Sequence, residues 1–202
     1  MQLHYAPNTI ALASLITLEE IGAPYAAIRV DFSQKAQSAA PYLGINPKGR
    51  VPTLVTEHGI LTETPAILNF LAQSHPAAGL LPSDPWEAAR VQELNAYLCS
   101  TVHVSHAHKW RGARWSDDPA VIAALLLKVA ANMADHFAYL EARFTGPWAM
   151  GPAYSIADPY LFVIAGWLAG DGVALDRFPN IARHRAAMAA RPAVQRALAL
   201  QG

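Results

Sequence analysis

Apolar residues along the chain keep two rhythms, and the change between them falls near residue 80. Leu3-His4-Tyr5 reads as a short strand, and Ile10 to Ile21 as a helix whose Leu12, Leu15, Ile16 and Leu18 cluster along one side. From Ala26 to Phe32, the residues Ala26, Ile28, Val30 and Phe32 alternate with more polar neighbours, the pattern of a strand. Pro52 to Thr56 and Ile60 to Thr62 flank His58-Gly59, a tight hairpin. A helix then runs from Pro65 to about Gln73.

This order, β-α-β followed by β-β-α, predicts a thioredoxin-like fold with a four-stranded mixed sheet. Leu80-Leu81-Pro82-Ser83-Asp84-Pro85 breaks the pattern, and helical spacing follows at about 86–110, 119–144, 155–169, 178–190 and 192–200. The division expected is a thioredoxin-like domain over 1–79, a linker over 80–85, and an all-helical domain over 86–202. Ser155-Ile156-Ala157-Asp158 has the form of a capping box ahead of the apolar run Tyr160-Leu161-Phe162-Val163-Ile164, with Asp in place of the usual Glu. Its role is to stabilise a helix start.

Two local patterns in the first half carry chemistry. Proline cannot donate to a sheet ladder, so Pro52 belongs at the first residue of its strand or at a bulge. With a cis Val51–Pro52 bond, Val51 is free to offer its N–H and C=O to a group outside the sheet. Further on, Glu63-Thr64 opens a helix that carries Pro65 in the first-turn slot. Main-chain amides at such a helix start favour an anionic group.

Together these residues resemble the glutathione transferase family, and within it the bacterial beta class. Met1-Gln2-Leu3-His4-Tyr5-Ala6-Pro7 and Ser155-Ile156-Ala157-Asp158 extend the resemblance over essentially the whole chain. In that family the residue before a cis-proline, here Val51 before Pro52, binds the cysteinyl backbone of glutathione. An acidic–hydroxyl pair, here Glu63 and Thr64, holds its γ-glutamyl group. The resemblance also carries Lys35 to the glycine carboxylate of glutathione and His103 to the active-site cleft. It implies a homodimeric detoxification enzyme that joins the glutathione thiolate to small apolar electrophiles, or reduces organic hydroperoxides; a cytoplasmic location is expected because the N-terminus lacks the pattern of a signal peptide.

The chain departs from the beta-class pattern where the sulfur would lie. The family's cysteine position falls on Ile10, and the neighbouring hydroxyl position on Ala11. Tyr5, Asn8 and Thr9 remain as candidate donors to a thiolate, Thr9 first; Asn8 and Thr9 are equally able to cap the helix, and Tyr5, in its strand, reads first as a packing residue. A donor beside a helix N-terminus favours thiolate over thiol by about 1.4 kcal/mol for each pKa unit. Two further readings stand beside the enzyme, the first of them motivated by Ile10 and Ala11. One is a non-catalytic glutathione-binding or ligand-carrying protein. The other, ranked last, is a thiol–disulfide exchanger working through Cys99.

Composition narrows the partners. Lys+Arg 15 balance Asp+Glu 15, which points to neither nucleic acid nor an anionic membrane surface. Near the C-terminus the longest charge-free apolar stretch, Pro159 to Gly170, is too short to span a bilayer. The single cysteine, Cys99, has no partner for a disulfide and is expected to be a buried, inert helix residue. His103 and His106 share a helix face while His108 projects elsewhere, and no carboxylate lies at helical spacing to complete a metal set. The resemblance makes glutathione the expected co-substrate, and no metal is expected. Trp110, Arg111, Arg114 and Trp115 form a basic–aromatic patch, read as an edge of the electrophile pocket or a dimer contact.

Overall fold

The computed structural model describes residues 1–201. Four short strands, β1 (Gln2–Tyr5), β2 (Ala26–Arg29), β3 (Thr53–Thr56) and β4 (Gly59–Thr62), form one sheet in the order β2-β1-β3-β4. β2 runs parallel to β1, while β3 and β4 are antiparallel to their neighbours, so the sheet is mixed. The helix α1 (Ala11–Ile21) joins β1 to β2, and α3 (Thr64–Ser74) follows β4. This is the thioredoxin-like arrangement the alternation predicts.

β2 stops earlier than the alternation suggests. Its partner β1 ends at Tyr5, whose carbonyl accepts a last bond from Val30 N–H at 2.7 Å. Asp31 then turns the chain, its carboxylate accepting from the main chain and the hydroxyl of Ser33. A single-turn helix, α2 (Ala40–Leu43), lies between β2 and β3 with Pro41 in its first turn. It is too short to show an apolar period, so the sequence pattern does not announce it.

After residue 84 the described residues form helices and the turns and loops between them, apart from one bridge between Trp148 and Gly151. α4 (Pro85–Tyr97) and α5 (His103–Arg111) form one run joined by a π-helical segment, Leu98–Val102, where the sequence pattern shows a single helix. α6 (Pro119–Ala142), α7 (Ala157–Ala165), α8 (Pro179–Ala189) and α9 (Pro192–Ala199) complete the chain. All nine residues of α7 are buried, as expected of a helix apolar all round. It ends before Gly166, short of the 169 that the helical pattern suggests, and the missing Cβ of Gly166 leaves room for the Arg185 guanidinium, which a Cβ would meet at 2.8 Å. Among the described residues α6 alone is long and apolar enough to cross a membrane, with mean hydropathy 1.4 over its best window. Its stripe of Val129, Met133, Phe137 and Leu140 is instead buried in the protein core.

The sheet half and the helical half share one core. α1 packs against α3, α7 and α9, and Leu15, Ile16 and Leu18 are fully buried beside Ile156, Leu161 and Val194. Two arginines fasten α9 and its approach to α1. Arg191 makes a bidentate pair with Glu20 at 2.6 and 2.9 Å, and Arg196 meets Glu19 at 2.6 Å.

The Ser155–Asp158 box forms as its spacing requires. Asp158 Oδ2 accepts from Ser155 N–H at 2.7 Å, and Ala157 N–H donates to the Ser155 hydroxyl. The other carboxylate oxygen accepts from Ala149 N–H at 2.7 Å and from His184 Nε2 at 2.9 Å. Asp158 is fully buried, so its removal strands several donors at once. We expect Asp158→Ala to lose about 3–5 kcal/mol in denaturant unfolding. A loss below about 1 kcal/mol would mean that water or a neighbour satisfies those donors.

Candidate active site

A cleft of about 940 Å³ lies between the sheet half and the helices. One wall is the loop after β1, Pro7 to Ile10, together with the bend Gly49 to Pro52 and the start of α3 at Glu63 and Thr64. The opposite wall comes from α5, the segment after it, and the residues following α7.

The bend is set by a closed polar network. Asn46-Pro47-Lys48-Gly49 forms a turn in which Gly49 N–H donates to Asn46 O at 2.9 Å. Gly49 has φ +60°, and a Cβ there would sit 3.0 Å from the Gln37 carbonyl, so a side chain would strain the turn. The Arg50 carbonyl accepts from Tyr42 Oη at 2.6 Å and from Asn46 Nδ2 at 2.8 Å. Thr53 Oγ1 accepts from Asn46 Nδ2 and shares a 2.9 Å bond with Tyr42 Oη. Tyr42, Asn46 and Thr53 are all buried. Val51–Pro52, the next peptide bond, is cis. Among the described residues neither Val51 N–H nor Val51 C=O enters a hydrogen bond, and the residue lines the cleft.

Glu63 sits at the N-cap of α3 with φ +72°, and its carbonyl accepts from Ile67 N–H at 3.0 Å. Its carboxylate meets Lys48 Nζ at 2.5 Å in an exposed pair worth little by itself. Thr64 is buried next to it, and both line the cleft.

The loop after β1 carries the three candidate donors, or lies next to them. Thr9 lines the cleft, but its hydroxyl donates to Ala6 O at 2.7 Å and accepts from Ala11 N–H at 3.3 Å. The hydroxyl thus serves as a cap, and its single proton is already committed. Tyr5 does not line the cleft, and its hydroxyl donates to Leu200 O at 2.7 Å. Asn8 does line it, in the left-handed conformation at φ +58°, with its N–H on Gln201 Oε1 at 3.0 Å and its side-chain amide uncommitted among the described residues. The N–H groups of Thr9 and Ile10 likewise have no partner among the described residues. Lys35 is exposed at φ +55° and is not among the cleft-lining residues.

On the helical wall, His103 lies 5.0 Å from the Trp167 ring. Burial, and then the positive field of His106, Arg111, Arg50 and Arg114, lowers its pKa from the usual 6.5 to about 4. It faces the cleft as a neutral imidazole at neutral pH.

His106 is held more tightly than its neighbour. Its Nδ1 lies 2.9 and 2.8 Å from the two oxygens of Asp171, whose side chain is fully buried. The ring stacks on Trp167 at 4.3 Å and 18°. A carboxylate can only accept, so Nδ1 donates and Nε2 is the free edge of the ring. The helical spacing of the histidines gave no carboxylate partner; Asp171 arrives from beyond α7, a contact no local pattern encodes. His108 instead packs on Trp115 at 4.3 Å. Among the described residues no three His, Cys, Asp or Glu side chains gather as a metal site would need. Cys99, expected to be buried and inert, is half-buried and lines the cleft next to Tyr160.

A thioredoxin-like sheet joined to a helical half across such a cleft defines the class of the protein. The family model described as glutathione S-transferase, N-terminal domain, matches residues 2–73. A glutathione S-transferase of Escherichia coli O157:H7 is 33% identical over 100% of this chain and 99% of its own. A maleylacetoacetate isomerase of Pseudomonas aeruginosa is 32% identical over 77% of this chain and 74% of its own. Among solved structures, a glutathione transferase homologue from Sulfitobacter with bound glutathione superposes with a TM-score of 0.94 at 43% identity, covering 96% of this chain and 95% of that one. A beta-class enzyme from Sphingomonas chungbukensis gives 0.88 at 30% identity, covering 100% and 99%. The chain belongs to the glutathione transferase family.

The depressed His103 pKa fixes the sign of a pH effect. The unfolded chain protonates this residue near pH 6.5 and the folded protein only near 4, so between those values unfolding takes up a proton and stability rises with pH. We expect His103→Gln to unfold with about one proton less uptake near pH 5.5, read from the pH dependence of the denaturant midpoint. Identical pH slopes for the two proteins would show that His103 titrates normally.

Proposed function

We propose that the protein binds glutathione along the Arg50–Pro52 bend and joins its thiolate to an electrophile held against the helical wall. The observation that carries this reading is the unpaired Val51 main chain, set at the cleft by the buried Tyr42–Asn46–Thr53 network. A peptide-like ligand matches both a free N–H and a free C=O, as an added strand does. The start of α3 at Glu63 and Thr64 supports a seat for the γ-glutamyl group, and His103 contributes at most one neutral hydrogen bond. The tripeptide's sulfur then falls by the loop after β1. There the amides of Thr9 and Ile10 and the Asn8 side chain are the donors still uncommitted, and a helix N-terminus lowers a thiol pKa.

Catalysis on this reading comes from thiolate stabilisation and proximity, with no bond between enzyme and substrate. Calorimetry with glutathione, followed by steady-state assay with aryl halides, epoxides and organic hydroperoxides, tests it. Binding in the micromolar to millimolar range together with glutathione-dependent turnover is the expected result. Binding without turnover of any of them would instead favour the ligand-carrying reading that Ile10 and Ala11 suggest.

The thiolate donors separate by mutation. Asn8→Ala should lower kcat by about tenfold, the worth of one hydrogen bond to a charged group. Thr9→Ala should lower stability by about 1 kcal/mol through the lost cap while moving kcat little. A larger fall in kcat for Thr9→Ala than for Asn8→Ala would return the role to the threonine hydroxyl.

A further inference from the structure

Three guanidinium groups enter the cleft from two different parts of the chain. Arg50 comes from the bend, Arg111 from the end of α5 and Arg114 from the turn just beyond it. None makes a salt bridge, and no side-chain hydrogen bond engages any of the three among the described residues. They lie close enough that the Arg50 charge lowers the pKa of both Arg111 and Arg114, after the larger effect of burial. Among the described residues Glu63 is the one carboxylate lining the cleft, and Lys48 already engages it.

Such a grouping runs against the composition of the chain. Acids and bases are equal in number, 15 of each. Elsewhere Arg90, Arg191 and Arg196 each meet a glutamate. Three like charges gathered in a partly dewatered cleft repel one another, and an anion placed among them relieves that repulsion. Planar guanidinium forks suit a carboxylate in particular. The aromatic walls beside them, Trp110 and Trp115, are 69% and 46% exposed, leaving room for a flat apolar body next to the charge.

We infer that the electrophile taken by this cleft is an anion, a carboxylate-bearing conjugated or aromatic molecule whose carboxylate is held by Arg111 and Arg114 with Arg50 beside them. The inference rests on the transferase reading and replaces the neutral apolar electrophile that the family resemblance implies. The cationic wall selects among electrophiles by charge and leaves the reacting carbon to face the thiolate.

A matched pair of substrates tests this, 4-chloro-3-nitrobenzoate against its neutral amide, 4-chloro-3-nitrobenzamide. In both, the glutathione sulfur forms a bond to the ring carbon bearing chlorine, and chloride leaves with the electron pair of the broken bond. Each kcat/KM is divided by the uncatalysed rate with glutathione, which removes the intrinsic difference in reactivity. The expected ratio of carboxylate to amide is about tenfold or more, the worth of one charge-assisted hydrogen-bonded pair. It should collapse toward unity in Arg111→Gln and in Arg114→Gln, and fall with added salt. Arg111→Lys should retain part of the preference as a point charge without the fork.

A ratio at or below unity in the unmodified protein overturns the inference, as does a ratio that Arg111→Gln and Arg114→Gln both leave intact. A rise of about tenfold in the glutathione KM of Arg111→Gln, with the ratio unchanged, also overturns it by giving the arginine to glutathione. The two failures separate cleanly. Turnover of the amide without charge preference sinks only the inference, whereas glutathione-dependent turnover of neither compound, with no glutathione binding by calorimetry, sinks the transferase reading and the inference with it. Circular dichroism and the denaturant midpoint of each variant show whether it is folded.

Discussion

The cleft depends on how one carbonyl group is held. Arg50 O accepts from both Tyr42 and Asn46, and Thr53 closes the ring between them, all three side chains lying out of solvent. Every hydrogen bond donor in that ring has an acceptor, which is the condition for a buried polar network to stabilise rather than weaken a structure. Because the carbonyl before Val51 faces inward, the next residue's main chain is left to the cleft. The same ring ties the turn at Gly49 to the first residue of β3, so the bend and the sheet move as one unit. Arg50 extends from this rigid point, and its position toward Arg111 and Arg114 follows from the same constraint.

The opposite wall is built by different means. There the protein uses a buried apolar helix, α7, and a stacked Trp167 to orient two histidines that differ in their surroundings. His103 is neutral because burial and four neighbouring cationic or titrating groups oppose its charge. His106, one turn on, is anchored by Asp171. A cleft with a peptide-like edge on one side and an aromatic, cationic face on the other is suited to bringing two unlike reactants together, each recognised by a different chemistry.

Much of the fold was legible because its signals are local. Alternation marked the strands, Pro52 and Pro65 marked a strand start and a helix start, and the Ser155–Asp158 spacing marked a cap, each through constraints acting within a few residues. Where β2 ends was not legible, since that is set by the length of its partner β1. At the site, Val51, Pro52, Glu63, Thr64 and His103, the residues that motif and resemblance single out, all line one cleft. Thr9 and Tyr5 stayed open in the sequence for one reason. A hydroxyl looks available in a sequence, and only the fold shows that Ala6 O and Leu200 O already take those protons. Asp171 at His106 and Arg50 beside Arg111 join segments far apart in the chain, and no spacing rule reaches that distance. The patch at Trp110 to Trp115 was visible, but its cationic weight was not, since Arg50 comes from the other half.

The central claim is that the free edge of Val51 receives the peptide backbone of glutathione. A crystal structure of the protein with glutathione tests it most directly. The account predicts paired hydrogen bonds between Val51 N–H and C=O and the cysteinyl residue, with the γ-glutamyl group at Glu63 and Thr64. The sulfur should lie within hydrogen-bonding reach of the Asn8–Ile10 segment. A tripeptide seated on the arginine wall, with Val51 making no contact to it, would contradict the account.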